Sequence, residues 1–153
     1  MANGESLRQV YLDVCALSRP FDDQTQARIR LETDAVQLIL SNVRQGRLRL
    51  IVSAAHTVEM AAIDDVEERN TLEKWLKELG YRPRADLRKA RQRAEELARV
   101  KIGPADAAHI ALAEQAEAAF VTVDDRLLRQ ARRVKLSVWA GTPLEYCEKE
   151  KLK

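Results

Sequence analysis

Gln9-Val10-Tyr11-Leu12-Asp13 is a short buried strand whose apolar run, Val10-Tyr11-Leu12, is ended by an acid. A strand with no alternation of apolar and polar residues is one covered on both faces, as in a parallel sheet. The same form returns at Phe120-Val121-Thr122-Val123-Asp124, and Leu48-Arg49-Leu50-Ile51-Val52 is strand-like as well. Two more acids stand at element boundaries. Glu59 follows the second run by about two helical turns, and Asp106 opens an Ala-rich helix behind Gly103-Pro104.

Between these points the spacing is helical. The segment Cys15–Asp23, holding Arg19-Pro20-Phe21, reads as a loop. A long helix is expected from about Thr25 to Gln45, with Val36, Ile39, Leu40 and Val43 at i, i+3, i+4, i+7 and Gly46 as its stop. Ser53 is a cap for the helix carrying Val58, Glu59 and Met60. Val66–Leu79 is a further helix ended by Gly80, and Arg82-Pro83 marks a turn or a very short edge strand. Then come a charged helix over Arg84–Val100, the helix Ala105–Ala118, strand Ala119–Val123, helix Arg126–Arg133 and a last short strand near Leu136–Trp139. Alternation of this kind predicts an α/β fold with a mostly parallel sheet and right-handed crossovers. Its functional crevice belongs at the C-terminal strand ends, where Asp13 and Asp124 stand and to which Ser53 leads Glu59.

Composition narrows the class. A chain of 153 residues, 46% apolar and 33% charged, is expected to form one helix-rich globular domain over 1–153. No repeat or linker divides it. No stretch approaches the roughly 20 apolar residues of a membrane span. Met1-Ala2-Asn3-Gly4-Glu5 lacks the basic start and apolar core of a signal peptide, so a cytoplasmic location is expected. Two cysteines, Cys15 and Cys147, make neither a disulfide framework nor a metal knuckle. A net charge of +2 announces no nucleic-acid field, yet basic residues cluster at Arg126–Lys135 and at Arg82–Arg93. Each cluster is a solvated helix face, or a set of phosphate contacts if a phosphodiester site lies beside it.

Each acid alone has an ordinary role. Asp13 bonds turn amides, Glu59 lies on a solvated face, Asp106 favours a helix N-terminus, and Asp124 or Asp125 caps the next helix. Gathered within about 4–8 Å, paired carboxylates repel by on the order of 2–4 kcal/mol at an effective dielectric near 20. A hard divalent cation removes that penalty, and all-oxygen ligation suits Mg²⁺ or Mn²⁺. Zinc would recruit His or Cys, and the chain has two histidines, His56 and His109; a structural role is expected for both, with a hydrogen bond near the site as the alternative for His109, one turn after Asp106 on the same helix face. A dinucleotide or P-loop reading fails because Asp13-Val14-Cys15-Ala16, not a Gly-rich loop, follows the first strand. A receiver-like phospho-switch fails because Ser53 stands where an acceptor aspartate would.

Val10-Tyr11-Leu12-Asp13-Val14-Cys15, Ser53 to Glu59, Pro104-Ala105-Asp106-Ala107-Ala108-His109 and Val121-Thr122-Val123-Asp124-Asp125, in that order, resemble the PIN-domain family. The resemblance runs from about Val10 to Pro143, and the layout is similar to single-domain PIN ribonucleases, including VapC-like toxins of toxin–antitoxin pairs. It implies a three-layer α/β/α sandwich with strand order 3-2-1-4-5 and Mg²⁺- or Mn²⁺-dependent cleavage of RNA. By the same resemblance Asp13, Glu59, Asp106 and Asp124 match the metal-binding acids. Thr122 matches a hydroxyl residue two before the last acid. Cys15 stands where the family often has Asn, and Asp125 is an outer acid or a helix-start residue. A small antitoxin that blocks the acidic pocket, and a homodimer, are the implied partners; a catalytically silent scaffold is the alternative. Phe21 and Trp75, which could anchor a partner, are expected to be buried instead.

Overall fold

The computed structural model describes residues 7–153, so Met1–Glu5 lies outside the described residues. Five parallel strands, β1 (Arg8–Leu12), β2 (Leu48–Ile51), β3 (Gly80–Tyr81), β4 (Ala119–Val121) and β5 (Ala140–Gly141), form one sheet in the order β3-β2-β1-β4-β5. The strand order reverses between β1 and its two neighbours. Val10 pairs with both Leu50 and Ala119, which brings the ends of β1 and β4 side by side. The Asp13 N–H then donates to the Val121 carbonyl (3.2 Å), carrying the ladder one step past the strand.

Both faces of the sheet are covered, which is why β1 carries no polar alternation. Val10 and Leu12 face a core built with α2 (Ala27–Arg44), α4 (Val66–Leu79) and α8 (Pro143–Glu150). Tyr11 and Phe120 face the opposite core, with α5 (Leu87–Arg99), α6 (Pro104–Gln115) and α7 (Asp125–Arg132). The result is a three-layer α/β/α sandwich. Leu12, Leu50 and Phe120 are almost fully buried, and each such side chain contributes about 1.5–3 kcal/mol. No helix among the described residues is long and apolar enough to cross a membrane, and both cysteines are free thiols.

Several boundaries differ from expectation. Cys15–Asp23 is not a loop: α1 (Val14–Leu17) follows Asp13 at once, and a 3₁₀ turn covers Arg19–Phe21. The Asp13 side chain caps α1, and Pro20 suits the first turn of the 3₁₀ segment. The edge strand lies at Gly80–Tyr81, just before Arg82-Pro83, because Pro83 has no N–H to offer the ladder. The last strand is Ala140–Gly141, one residue beyond Leu136–Trp139, set by Phe120↔Ala140 pairing. The unanticipated α8 starts with a capping box between Thr142 and Glu145. Gly46 (φ 74°) lets the chain leave α2 in the left-handed conformation, with Arg47 N–H returning to the Asn42 carbonyl. Phe21 is not buried: it is 39% exposed and rests on the half-buried Trp75 ring, 5.9 Å between centroids.

Candidate functional site

Asp13 and Asp124 follow the C-terminal ends of β1 and β4, Glu59 lies on the helix that follows β2, and Asp106 lies in the first turn of α6, ahead of β4. Asp13, 3% exposed, leaves β1 and turns its Oδ1 onto the Ala16 N–H (3.0 Å). The Cys15 thiol donates to the same carboxylate, at 3.1 and 3.2 Å to its two oxygens. Burial pushes the Asp13 carboxyl up to about 6, even though Thr122, Cys15 and the Ala16 amide pull it down. A thiol thus stands where the family resemblance leads one to expect an amide, and it does what a weak donor can: it hydrogen-bonds the acid.

Asp124 is exposed and caps α7 through Oδ1 and the Leu127 N–H (3.1 Å). Its own N–H donates to Thr122 Oγ1 (3.1 Å), and that hydroxyl lies 3.4 Å from Cys15 Sγ. Thr122 is therefore the link between the first and the last acid. Asp106 sits half-buried in the first turn of α6, and among the described residues no hydrogen bond reaches its carboxylate. Burial first, then the charges of Asp124 and Glu59, hold that carboxyl above the ordinary range. Asp106 shares a field with two other acids.

Glu59 comes from α3 (Ala54–Ala61) and is fixed from the other side of the site. Its Oε2 lies 2.7 Å from His109 Nε2, and that hydrogen bond lowers the Glu59 pKa. Asp125 is turned away: Arg28 grips it with two bonds of 2.7 Å, which lowers its carboxyl and leaves it a helix-start residue. So Asp106, Asp124 and Glu59 interact by charge, and Asp13 joins them through Thr122.

Whether these residues suit a cation turns on the donor set. Among the described residues, no three His, Cys, Asp or Glu side chains converge tightly enough to grip an ion as they stand. The donors themselves are hard carboxylate oxygens, and neither imidazole is free. His56 Nδ1 accepts from the Ser53 N–H (3.1 Å), so its Nε2 carries the proton that goes to the Leu12 carbonyl (2.7 Å). Burial pushes that ring down to about 4. His109 is occupied by Tyr11 and Glu59. In donor chemistry these oxygens match a hard divalent cation rather than zinc.

Two features escaped the sequence. Tyr11 looked like one more apolar strand residue, yet its hydroxyl lies 2.7 Å from Ser53 Oγ and also bonds His109 Nδ1. The signal was a phenol in a fully buried strand, which must find a partner. Ser53 begins α3 in a capping box with His56, whose Nδ1 accepts the Ser53 N–H (3.1 Å), and the Ser53 hydroxyl also bonds Tyr11. Neither was predictable from spacing alone.

The sequence model of the PIN domain matches residues 10–133. No curated protein sequence matches the chain significantly. Among solved structures, FitAcB from Neisseria gonorrhoeae aligns at 19% identity and TM-score 0.53, over 88% of this chain and 98% of that one. FitAB bound to an IR36 DNA fragment aligns at 19% identity and TM-score 0.54, over 88% and 94% of the two chains. At that identity the likeness is one of fold.

Proposed function

Because this chain belongs to the PIN domain family, whose members are generally nucleases, we propose that it is a Mg²⁺- or Mn²⁺-dependent endoribonuclease. One observation carries the reading. Asp13, Glu59, Asp106 and Asp124 reach one sheet edge from four separate segments, and two of them are held above the ordinary carboxylate range. Burial of Asp13 and Asp106, with the charges of Asp124 and Glu59 acting on Asp106, disfavours their ionised forms, and a cation would relieve that cost. Asp13, Asp106 and Asp124 would be the main ligands, with Glu59 direct or through water.

The ion would supply an acidified water and charge for the scissile phosphate. The rest falls to the chain. Thr122 and Cys15 steady the Asp13 carboxylate, and Arg28 keeps Asp125 out of the way. The exposed residues Arg126, Arg129 and Arg132 lie on α7, the helix that Asp124 caps, and suit an RNA backbone. The water that the ion would supply makes a protein nucleophile unnecessary, and His109 and His56 are both committed to hydrogen bonds.

Within that family we assign the chain to the toxins of toxin–antitoxin pairs, acting in the cytoplasm as a homodimer. The likeness in fold to FitAB supports a cognate partner. So does an apolar groove of about 480 Å³ lined by Val58, Leu87, Ala94 and Leu112, with Glu59 beside it. A silent scaffold is the second reading, favoured by Cys15 alone. Purified protein with Mn²⁺ should cut RNA, EDTA should stop it, and Asp13→Asn should abolish it while the chain stays folded. Equal cutting by both proteins, or cutting in EDTA, would sink the nuclease reading.

A further inference from the structure

A chain of hydrogen bonds runs behind the acids. Ser53 Oγ, Tyr11 Oη, His109 Nδ1, His109 Nε2 and Glu59 Oε2 follow one another, with 2.7 Å at the Ser53–Tyr11 and His109–Glu59 steps. Tyr11 and His109 are 0% and 1% exposed, whereas the Glu59 side chain is 40% exposed. The partners assign the protons. An ionised carboxylate accepts only, so His109 Nε2 carries hydrogen; in the neutral ring Nδ1 then accepts from the Tyr11 hydroxyl, and Tyr11 accepts from Ser53.

We infer that His109, oriented by Tyr11, is the positioning residue for the Glu59 carboxylate. Glutamate has three rotatable bonds, and on the half-exposed face of α3 it would otherwise sample many directions. The ring that holds it is wedged against Tyr11 and His56, at centroid distances of 5.5 and 5.1 Å. His109 also lies one turn after Asp106 on α6, so one helix supplies an acid and the orienter of another acid. α3 packs on α6 at this point. A partner behind a ligand fixes its direction and its basicity, and losing it lowers metal affinity by about 10–100-fold. The simpler role, in which Glu59 merely satisfies a buried histidine, has no consequence for an ion.

The inference rests on the proposed cation site, and titration of the full chain with MnCl₂ alone separates the two. Wild type should bind and Asp13→Asn should not; if wild type takes up no Mn²⁺, or Asp13→Asn binds equally, the site reading falls and this inference with it. Given binding, His109→Leu, which keeps volume but no donor, should weaken Mn²⁺ by about tenfold or more. His109→Gln, whose amide can still donate to Glu59, should recover to within about threefold of wild type. In a Glu59→Ala background, His109→Leu should change nothing further. Wild-type affinity in His109→Leu, or an undiminished loss in the Glu59→Ala background, overturns the positioning role while leaving the site. Melting in EDTA verifies folding; should His109→Leu be unfolded, Tyr11→Phe carries the same comparison.

Discussion

Two buried groups near the site titrate in opposite senses. Asp13 titrates near 6 in the fold against 3.8 for a free carboxyl, so its contribution is present below 3.8 and lost as pH rises through 6. His56 titrates near 4 against 6.5, so its contribution is present above 6.5 and lost as pH falls through 4. Each is worth on the order of 3 kcal/mol, and between pH 4 and 6.5 they offset one another. Asp13→Asn removes one arm. In EDTA, the melting temperature of the variant relative to wild type should fall by roughly 5–10 °C from pH 6.5 to 4. Parallel profiles would show that Asp13 is not the raised acid. Asp13, Asp106 and Asp124 were legible one by one because each ends an apolar run or opens a helix, whereas Glu59 lies inside α3. What Asp13 touches was not legible, since Thr122 is 109 positions away and meets it only across the β1–β4 seam.

Elements were legible where local chemistry marks both ends. α4 begins at an Asp65 cap, whose carboxylate takes the Glu68 N–H at 2.9 Å, and ends at Gly80; the expected and observed bounds coincide. β3 and β5, two residues each, were displaced because edge strands this short are defined by their ladder partners rather than by composition. α8 carries a local signature, Thr142-Pro143-Leu144-Glu145. Its Thr142 Oγ1 accepts the Glu145 N–H (3.1 Å) while Glu145 returns to the Thr142 N–H (3.0 Å). Thr142→Ala should destabilise the protein by about 1 kcal/mol, a drop of roughly 2–4 °C in melting temperature, and Thr142→Ser should keep wild-type behaviour. Equal melting of all three would mean that packing of α8 on α2, not its cap, holds the last helix.

At the scale of the molecule, the proposed site is a meeting of segments from β1, α3, α6 and the β4–α7 junction. A ligand spanning them ties separate elements together and binds the unfolded chain poorly. Mn²⁺ at about 100 times its dissociation constant should therefore stabilise the fold by about 2.7 kcal/mol. The melting rise should disappear in Asp106→Asn, and a rise that persists there would assign the ion elsewhere. The sequence by itself determined the α/β class and singled out the four acids as candidates, because periodicity, helix caps and residue type are local properties. Tertiary structure alone decided that Arg28 withdraws Asp125, that Thr122 links Asp13 to Asp124, and that Tyr11 and His109 stand behind Glu59. Those contacts join residues from about 40 to about 110 positions apart, and parallel crossovers, not spacing, bring them within hydrogen-bond reach.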